Sequence, residues 1–232
     1  MRETLPEALD LMFGHEGGYV NAKTDRGGPT KYGITHATLA AHRGVRSVTA
    51  AQVQAMTRAE AVEIYRKSYW PQSGGDVLPV GLDYAAFDFG VNSGPGRAVR
   101  VLQQVVRVSQ DGKIGPQTLA AVNAYPGGVV KLIRDYCNAR MAFLRSLTSP
   151  QTGFPVNGRG WTRRVTGIDP EGKMPTEPGV VGHAVQMAMR TEPARPVPVT
   201  DASPAQPAAQ SNGLIYIIGA GVLAALVFFG VR

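Results

Sequence analysis

The sequence predicts a mainly α-helical fold with one small hairpin lobe, on the basis of three observations. Apolar residues recur at the spacing of one helical face in several segments, the longest of which is Gly128 to Leu147. Several of these segments begin with Ser, Thr or Pro, which are typical of helix starts. Between residues 17 and 33 glycine is frequent and interspersed with Asn, Thr and Pro, a composition that favours a short hairpin or irregular lobe.

The first predicted helix has its apolar side chains on one face: Leu5, Leu9, Met12 and Phe13. Glu16 continues that face, and Gly17 and Gly18 then end the helix, since glycine accepts the left-handed conformation common at helix ends. The negative end of the helix dipole and partial burial both disfavour an ionised carboxylate there. We therefore expect a raised pKa for Glu16, which suits a general acid.

Asp25 follows Glu16 by nine positions and lies in the predicted hairpin lobe. A polar, solvated setting would keep Asp25 ionised. Two carboxylates whose environments separate their pKa values are the arrangement that glycoside hydrolysis uses. The alternative is that Glu16 is an ordinary solvated residue at a helix end.

The segment EGGYVNAKTDRGGPTKYGIT, residues 16 to 35, closely resembles the signature of glycoside hydrolase family 108, a group of lysozyme-like muramidases found mostly as bacteriophage endolysins. The resemblance implies an α+β lysozyme-like fold and assigns the catalytic acid to Glu16. Phage lysozymes also have an Asp about nine residues later, which Asp25 matches, and a Thr shortly after it. Thr30 and Thr35 both lie near that third position, and the spacing does not choose between them.

Next along the chain, HATLAAHRG predicts a short helix, and two capping-box spacings predict two more. The first capping box is Thr49 with Gln52; the second begins at Thr57, and its helix is expected to continue to about Tyr69. Trp70 follows, in an aromatic cluster that is more typical of a core than of a sugar platform. It is retained as a candidate sugar-stacking residue.

The segment FDFGVNSGPGRAVRVLQ, residues 87 to 103, resembles the same family. Asp88 and Asn92 are four positions apart and share a helical face, and Ser93 is suited to cap the next helix. By analogy with lysozyme-like folds, Asn92 and Ser93 line the glycan cleft. Alternatively, they tie one helix end to the next.

Three further features lie in the segment from Asp111 to Gly167. DGKIGPQTLAAV resembles the turn of small helical peptidoglycan-binding modules, in which Asp111 would be structural. Cys137 falls on the apolar face of the longest predicted helix and is expected to be buried. FPVNGRGWTRRVTG resembles the closing element of the family, in which Trp161 packs the last helix onto the core; a substrate contact by Trp161 or Arg164 is the alternative.

The last sixty residues differ in composition. From about Asp169 to Asn212 the chain is rich in Pro and Ala and is predicted to be a flexible linker, which a short helix around Val180 to Met189 can interrupt. Gly213 to Val231 carries no charge over 19 residues, a length that predicts a transmembrane helix. These features predict a single-pass membrane protein of the bacterial inner membrane that acts on the periplasmic wall, with its topology left open.

The formal net charge of +7 indicates attraction to anionic polymers, whether nucleic acid, acidic lipid or cell-wall polymer. Nucleic-acid binding is disfavoured, because basic and aromatic residues are not interleaved and no recognition motif is present. No CxxC or HExxH motif occurs, so neither a metal site nor a cofactor is expected.

The sequence thus predicts a lysozyme-like catalytic domain over residues 1–95, a helical peptidoglycan-binding region over 96–168, the linker over 169–212 and the membrane helix over 213–231. The expected function is cleavage of the β-1,4 bond between N-acetylmuramic acid and N-acetylglucosamine in host lysis, with phage holin or spanin proteins as functional partners. Two alternatives stay open: a lytic transglycosylase, and a non-catalytic, membrane-tethered protein that binds peptidoglycan.

Overall fold

The structure is a computed structural model that describes residues 4–15, 18–20 and 28–191. Its elements, in chain order, are α1 (Thr4–His15), β1 (Thr30–Lys31), β2 (Ile34–Thr35), α2 (His36–Arg43), α3 (Ala50–Gln54), α4 (Arg58–Ile64), a π-helical turn (Tyr65–Tyr69), α5 (Trp70–Gln72), α6 (Leu82–Ser93), α7 (Pro95–Val105), α8 (Pro116–Asn123), α9 (Gly128–Ser146), α10 (Phe154–Thr166) and α11 (Gly179–Thr191). The fold is mainly helical, which confirms that part of the sequence prediction.

Several helices begin where the sequence predicts. Thr49 forms the complete capping box: its hydroxyl accepts from the Gln52 N–H, and the Gln52 side chain accepts from the Thr49 N–H. Pro116 occupies the first turn of α8, where its missing N–H leaves no hydrogen bond unmade. Local side-chain chemistry therefore fixes these boundaries before any tertiary contact forms.

Helix α6 is the centre of the fold. Residues 82–90 of this helix are all buried, and it packs against α1, α7, α9 and α11. At its start, the buried Asp83 carboxylate accepts from the Thr4 hydroxyl at 2.8 Å and from the Gly81 N–H at 2.8 Å. This contact joins the beginning of α1 to the beginning of α6 and so fixes the helix that leads to Glu16.

The predicted hairpin lobe is present as β1 and β2, an antiparallel pair that also meets Val20 through two backbone hydrogen bonds of 2.8 Å to Thr30. The ammonium of Lys31 donates to the carbonyls of Gln54 and Met56 at the end of α3, at 2.7 and 2.8 Å. The hydroxyl of Tyr65 donates to the carbonyl of Tyr32 in the hairpin turn. The hairpin is thus attached to the helical body by these polar contacts, by the buried side chain of Ile34 and by the contact of the Tyr32 ring with Phe13.

The helix predicted to run from Thr57 to Tyr69 is interrupted. Helix α4 ends at Ile64, and the next five residues form a π-helical turn before α5 begins at Trp70. Ser93, predicted to cap the following helix, is instead the last residue of α6, and Gly94 occupies the cap position of α7. The left-handed φ of +88° at Gly94 favours glycine over serine at that position.

The segment after α10 is folded, which corrects the linker prediction for residues 169–191. Helix α11 buries one face against α9, α10 and α6, through Val180, Ala184, Val185, Met187 and Ala188. Gly81 allows the closest approach, because a Cβ there would lie 2.2 Å from the Ala184 carbonyl oxygen. The short helix expected around Val180 to Met189 is present as α11, but its packing on the other helices was not predicted, because its partner faces lie far away in the chain.

The predicted localisation as a single-pass membrane protein is corrected by the structure. No helix within residues 4–15 and 28–191 is long and apolar enough to cross a bilayer. The segment 213–231, on which that prediction rested, and residues 192–212 of the predicted linker lie outside the described residues.

Candidate active site

Two adjoining cavities lie where the hairpin, the end of α1 and the end of α6 meet. The first has a volume of about 840 Å³ and the second about 720 Å³. They share four lining residues: Gly33, Thr35, Val91 and Asn92. Cavities that share their lining form one elongated groove, which we call the cleft.

The first cavity has two walls. The N-terminal wall consists of the exposed side of α1, from Asp10 to Gly14, together with the hairpin residues Thr30 and Thr35. The C-terminal wall comes from α10 and from the segment around α11, and its residues are Gly160, Trp161, Arg163, Arg164, Glu177 and His183. Both signs of charge are present in this cavity. It is therefore suited to a ligand that carries several polar groups.

The second cavity lies between α2, the π-helical turn and the junction of α6 with α7. Its polar lining is made mostly of hydroxyl and amide groups: Thr35, Thr38, Ser68, Tyr69, Gln72 and Asn92. The hydroxyls of Thr38 and Tyr69 lie 3.5 Å apart. Neutral donors and acceptors beside an aromatic ring suit an uncharged polar ligand such as a sugar chain.

The two carboxylates predicted from the sequence, Glu16 and Asp25, lie outside the described residues. The last described residues before Glu16 reach the first cavity, since Gly14 belongs to its lining. The chain resumes at Gly18, and Val20 pairs with Thr30 in the hairpin. The described residues on both sides of Glu16 are thus at the N-terminal wall.

The other predicted site residues are brought together only in part. Thr30 lines the first cavity, whereas Thr35 and Asn92 line both. The Thr35 hydroxyl also accepts from the Thr38 N–H at 3.3 Å and so caps α2. The Ser93 hydroxyl donates to the Asn92 side-chain oxygen at 3.0 Å, so Ser93 supports the orientation of Asn92.

The structure corrects the prediction that Trp70 is a candidate for stacking on a sugar. Its side chain is fully buried, packs against Phe87 with ring centroids 5.4 Å apart, and donates from Nε1 to Asp76 at 3.0 Å. No face of the indole is therefore available to a ligand. The structure supports the other interpretation, which the sequence favoured, in which Trp70 belongs to the core.

A buried ion triad lies behind the cleft. The Asp88 carboxylate accepts from Arg140 Nη1 at 2.7 Å and from Arg164 Nη2 at 2.9 Å and Nε at 3.1 Å. These residues belong to α6, α9 and α10. Burial alone would raise the pKa of Asp88, but the charges and hydrogen bonds of Arg164 and Arg140 outweigh it and hold the pKa well below its usual range.

The triad fixes the C-terminal wall onto the central helix. Asp88 and Arg140 are almost wholly buried, while Arg164 is partly exposed and also lines the first cavity. Cys137 lies nearby, and burial raises the pKa of its thiol to about 12, so it is not a nucleophile at neutral pH. A reaction in the cleft would therefore use oxygen and nitrogen groups and not this thiol.

Sequence reasoning missed Asp10, Glu177 and His183 as lining residues. Glu177 and His183 fell in a segment expected to be a linker, and Asp10 was on the polar side of the first helix. A short helix was expected around Val180 to Met189 and is present as α11, although no local feature of the sequence pointed its polar face toward the cleft. Within the described ranges, no cluster of three His, Cys, Asp or Glu side chains is arranged to hold a metal ion.

Comparison with known proteins agrees with this geometry. A family model described as glycosyl hydrolase 108 matches residues 9–94, and one described as a predicted peptidoglycan domain matches residues 97–166. Among solved structures, the chain is similar to that of Brucella abortus SagA, with 42% sequence identity and a TM-score of 0.68. That match covers 80% of this chain and 95% of the SagA chain. No curated protein matches the chain.

Proposed function

Because the chain belongs to the glycosyl hydrolase 108 family and is a glycoside hydrolase that acts on peptidoglycan, we propose that it cleaves the β-1,4 bond between N-acetylmuramic acid and N-acetylglucosamine. The observation that carries this proposal is the elongated cleft at the end of α1. Gly14, two positions before Glu16, lines it together with Thr30, Thr35 and Asn92. A groove of this form accepts an extended glycan.

In the proposed reaction, Glu16 donates a proton to the glycosidic oxygen as the bond from that oxygen to the anomeric carbon breaks. Water then supplies the hydroxyl on the anomeric carbon. Asp25 is proposed as the second carboxylate, which activates that water, forms a covalent intermediate or stabilises the developing positive charge. Thr30, Thr35 and Asn92 are proposed to bind the glycan through hydroxyl and amide groups.

The test is digestion of purified sacculi by the wild type and by Glu16→Gln. General acid catalysis contributes about a hundredfold to ten-thousandfold, so the variant should lose at least about a hundredfold in the release of reducing ends. Glu63→Gln is the matched control, because it makes the same chemical change in an exposed pair with Lys67, and neither residue lines the cleft. Full activity of Glu16→Gln would exclude Glu16 as the acid.

Product masses separate the two reaction types. A muramidase leaves reducing N-acetylmuramic acid ends, whereas a lytic transglycosylase leaves anhydro ends that are lighter by one water. We expect reducing ends, because two carboxylates are proposed to act on the same bond. Anhydro products would contradict hydrolysis and favour the transglycosylase reaction.

Degradation of the host wall during lysis is the setting proposed for this activity, since the motif over residues 16–35 resembles that of bacteriophage endolysins. Expression of the wild type in a bacterial host, followed by permeabilisation of its inner membrane, should clear the culture. Expression of Glu16→Gln should not. Equal clearing by both proteins would contradict the lytic role.

A further inference from the structure

The cleft is completed by a segment that neither family model covers. The second model ends at residue 166, yet Glu177 and His183 line the first cavity opposite Gly14 and Thr30. Trp161, near the end of the matched region, lies beside them on the same wall. Part of the cleft surface is therefore built by residues beyond the two family models.

Helix α11 holds this part of the wall in a fixed position. Ala184, adjacent to His183 in the chain, is fully buried, and its carbonyl approaches Gly81 at the start of α6. The Glu177 N–H donates to the Gly167 carbonyl at 2.9 Å, and Arg190 pairs with Glu7 at 2.7 Å. The backbone that carries His183 is thus anchored before the helix, in its middle and in its last turn.

The exposed parts of the Trp161 and His183 side chains have the chemical properties of a sugar-binding surface. Trp161 is only partly buried, and an indole offers a broad apolar face with a polar edge. Partial burial lowers the pKa of His183 and outweighs the opposing effect of Glu7 and Glu177. The imidazole is therefore neutral at neutral pH, with one donor and one acceptor for hydroxyl or acetamide groups.

The neighbouring charges are already paired. Arg163 donates to the Glu177 carboxylate, and Arg164 donates to Asp88. Arg163, Arg164 and Glu177 line the first cavity together with Trp161 and His183. This arrangement favours an uncharged ring with polar substituents at Trp161 and His183.

We propose that Trp161 and His183 form a subsite that binds one N-acetylated sugar ring of the glycan, with the ring stacked on the indole and a hydroxyl or acetamide hydrogen-bonded to the imidazole. This inference rests on the proposed function, because it assumes that the cleft holds a glycan strand. It adds specificity-determining residues from α10 and α11 to the cleft.

The two tryptophans of the chain make the subsite directly observable. Trp70 is fully buried in the core, whereas Trp161 lines the cavity. Titration of the full-length Glu16→Gln variant with peptide-free glycan strands should shift the fluorescence of Trp161. The same titration of Glu16→Gln with Trp161→Phe, which leaves Trp70 as the only indole, should show no shift.

Affinity measurements by calorimetry then test each residue in the Glu16→Gln background. Trp161→Ala should weaken binding of peptide-free strands about tenfold through the lost stacking surface, and His183→Ala about threefold through one lost hydrogen bond. Trp161→Tyr and His183→Asn keep a ring or a hydrogen-bonding group and should restore most of the affinity. In the otherwise wild-type enzyme, Trp161→Ala and His183→Ala should change KM more than kcat.

The controls are Val156→Ala on α10 and Met189→Ala on α11, two exposed apolar residues away from the cleft. Both should bind like the parent. Unchanged affinity in His183→Ala and Trp161→Ala alike, together with no fluorescence response, would overturn the subsite, as would binding only of peptide-bearing strands. Binding is measured without turnover, so failure of the wild type to release reducing ends would refute the proposed hydrolysis while leaving this test intact.

Discussion

The two walls of the cleft are attached to the protein in different ways. The N-terminal wall includes a hairpin of two-residue strands, which polar contacts through Lys31 and Tyr32 tie to the helices behind it. The C-terminal wall belongs to α10 and α11, which pack on α9 and reach α6 through the Asp88 triad and the buried face of α11. The hairpin places one buried apolar side chain, Ile34, in the core, whereas α11 alone places five there.

This difference predicts which substitutions lower the stability of the protein and which lower its activity. Loss of a core contact is expected to affect the free energy of unfolding of the whole described body, because α6 joins both walls. Loss of a hairpin contact is expected to affect the positions of groups in the cleft more than global stability. The comparison also explains why the boundary between the two family matches, at residues 94 to 97, is not a boundary in packing: the triad crosses it.

The largest effect is expected for Asp88→Asn. The substitution leaves the buried Arg140 and the partly buried Arg164 without their carboxylate, and an uncompensated buried charge costs about 3–5 kcal/mol in the free energy of unfolding. Urea denaturation at pH 7 measures this change. Glu63→Gln is the matched control, since it makes the same chemical change in an exposed pair and should cost no more than about 0.5 kcal/mol.

The same triad sets a dependence on pH. Because the pKa of Asp88 is depressed in the folded state, its contribution is fully present above its unfolded pKa of about 3.9 and is lost as pH falls further toward the folded pKa. The stability difference between wild type and Asp88→Asn should therefore shrink below about pH 4. A difference that stays constant from neutral to strongly acidic pH would contradict the role assigned to the triad.

The next effect concerns the junction of α11 with α6. A Cβ at Gly81 would lie 2.2 Å from the Ala184 carbonyl oxygen, and the φ of +86° is also unfavourable for alanine. Gly81→Ala should therefore cost about 2–4 kcal/mol and weaken the C-terminal wall. Gly44→Ala separates the two causes, because Gly44 has a φ of +66° with open space around it and should cost only about 1 kcal/mol.

Hydrogen exchange identifies the region that each substitution destabilises. Amides of residues 179–191 should exchange faster in Gly81→Ala than in Gly44→Ala, since only the first substitution displaces α11. Equal protection of α11 in both variants would mean that this wall does not depend on the close approach at Gly81.

Local patterns in the sequence were sufficient for much of the helical framework. The capping box at Thr49, the start of α8 at Pro116 and the burial of Cys137 each depend on neighbours within a few positions or on one helical face, and the structure confirms all three. Asp111 is also structural as predicted, since its carboxylate accepts from Gln103 and from the Lys113 N–H. These features require no knowledge of distant contacts.

The C-terminal wall could not be predicted in the same way. Asp88 is 52 positions from Arg140 and 76 from Arg164, so no periodicity links them. The sequence placed Asp88 on a face with Asn92, but the structure turns Asp88 into the core and leaves Asn92 in the cleft. Likewise, His183 becomes a cleft residue only once α11 is docked on three other helices.

The smallest effect on stability is expected at the hairpin, for Lys31→Met. The substitution keeps most of the apolar stem and removes two hydrogen bonds to carbonyls at the end of α3, a contact expected to contribute no more than about 1 kcal/mol at a partly exposed helix end. Activity should fall further, by about tenfold in kcat/KM, because β1 carries Thr30 and small displacements of cleft groups are costly. Arg43→Gln is the control: it breaks a partly exposed pair with Glu60 away from the hairpin and should change activity little. If Lys31→Met instead lowered stability as much as Asp88→Asn, the hairpin would be coupled to the core as strongly as the C-terminal wall is, and the contrast between the two walls would fail.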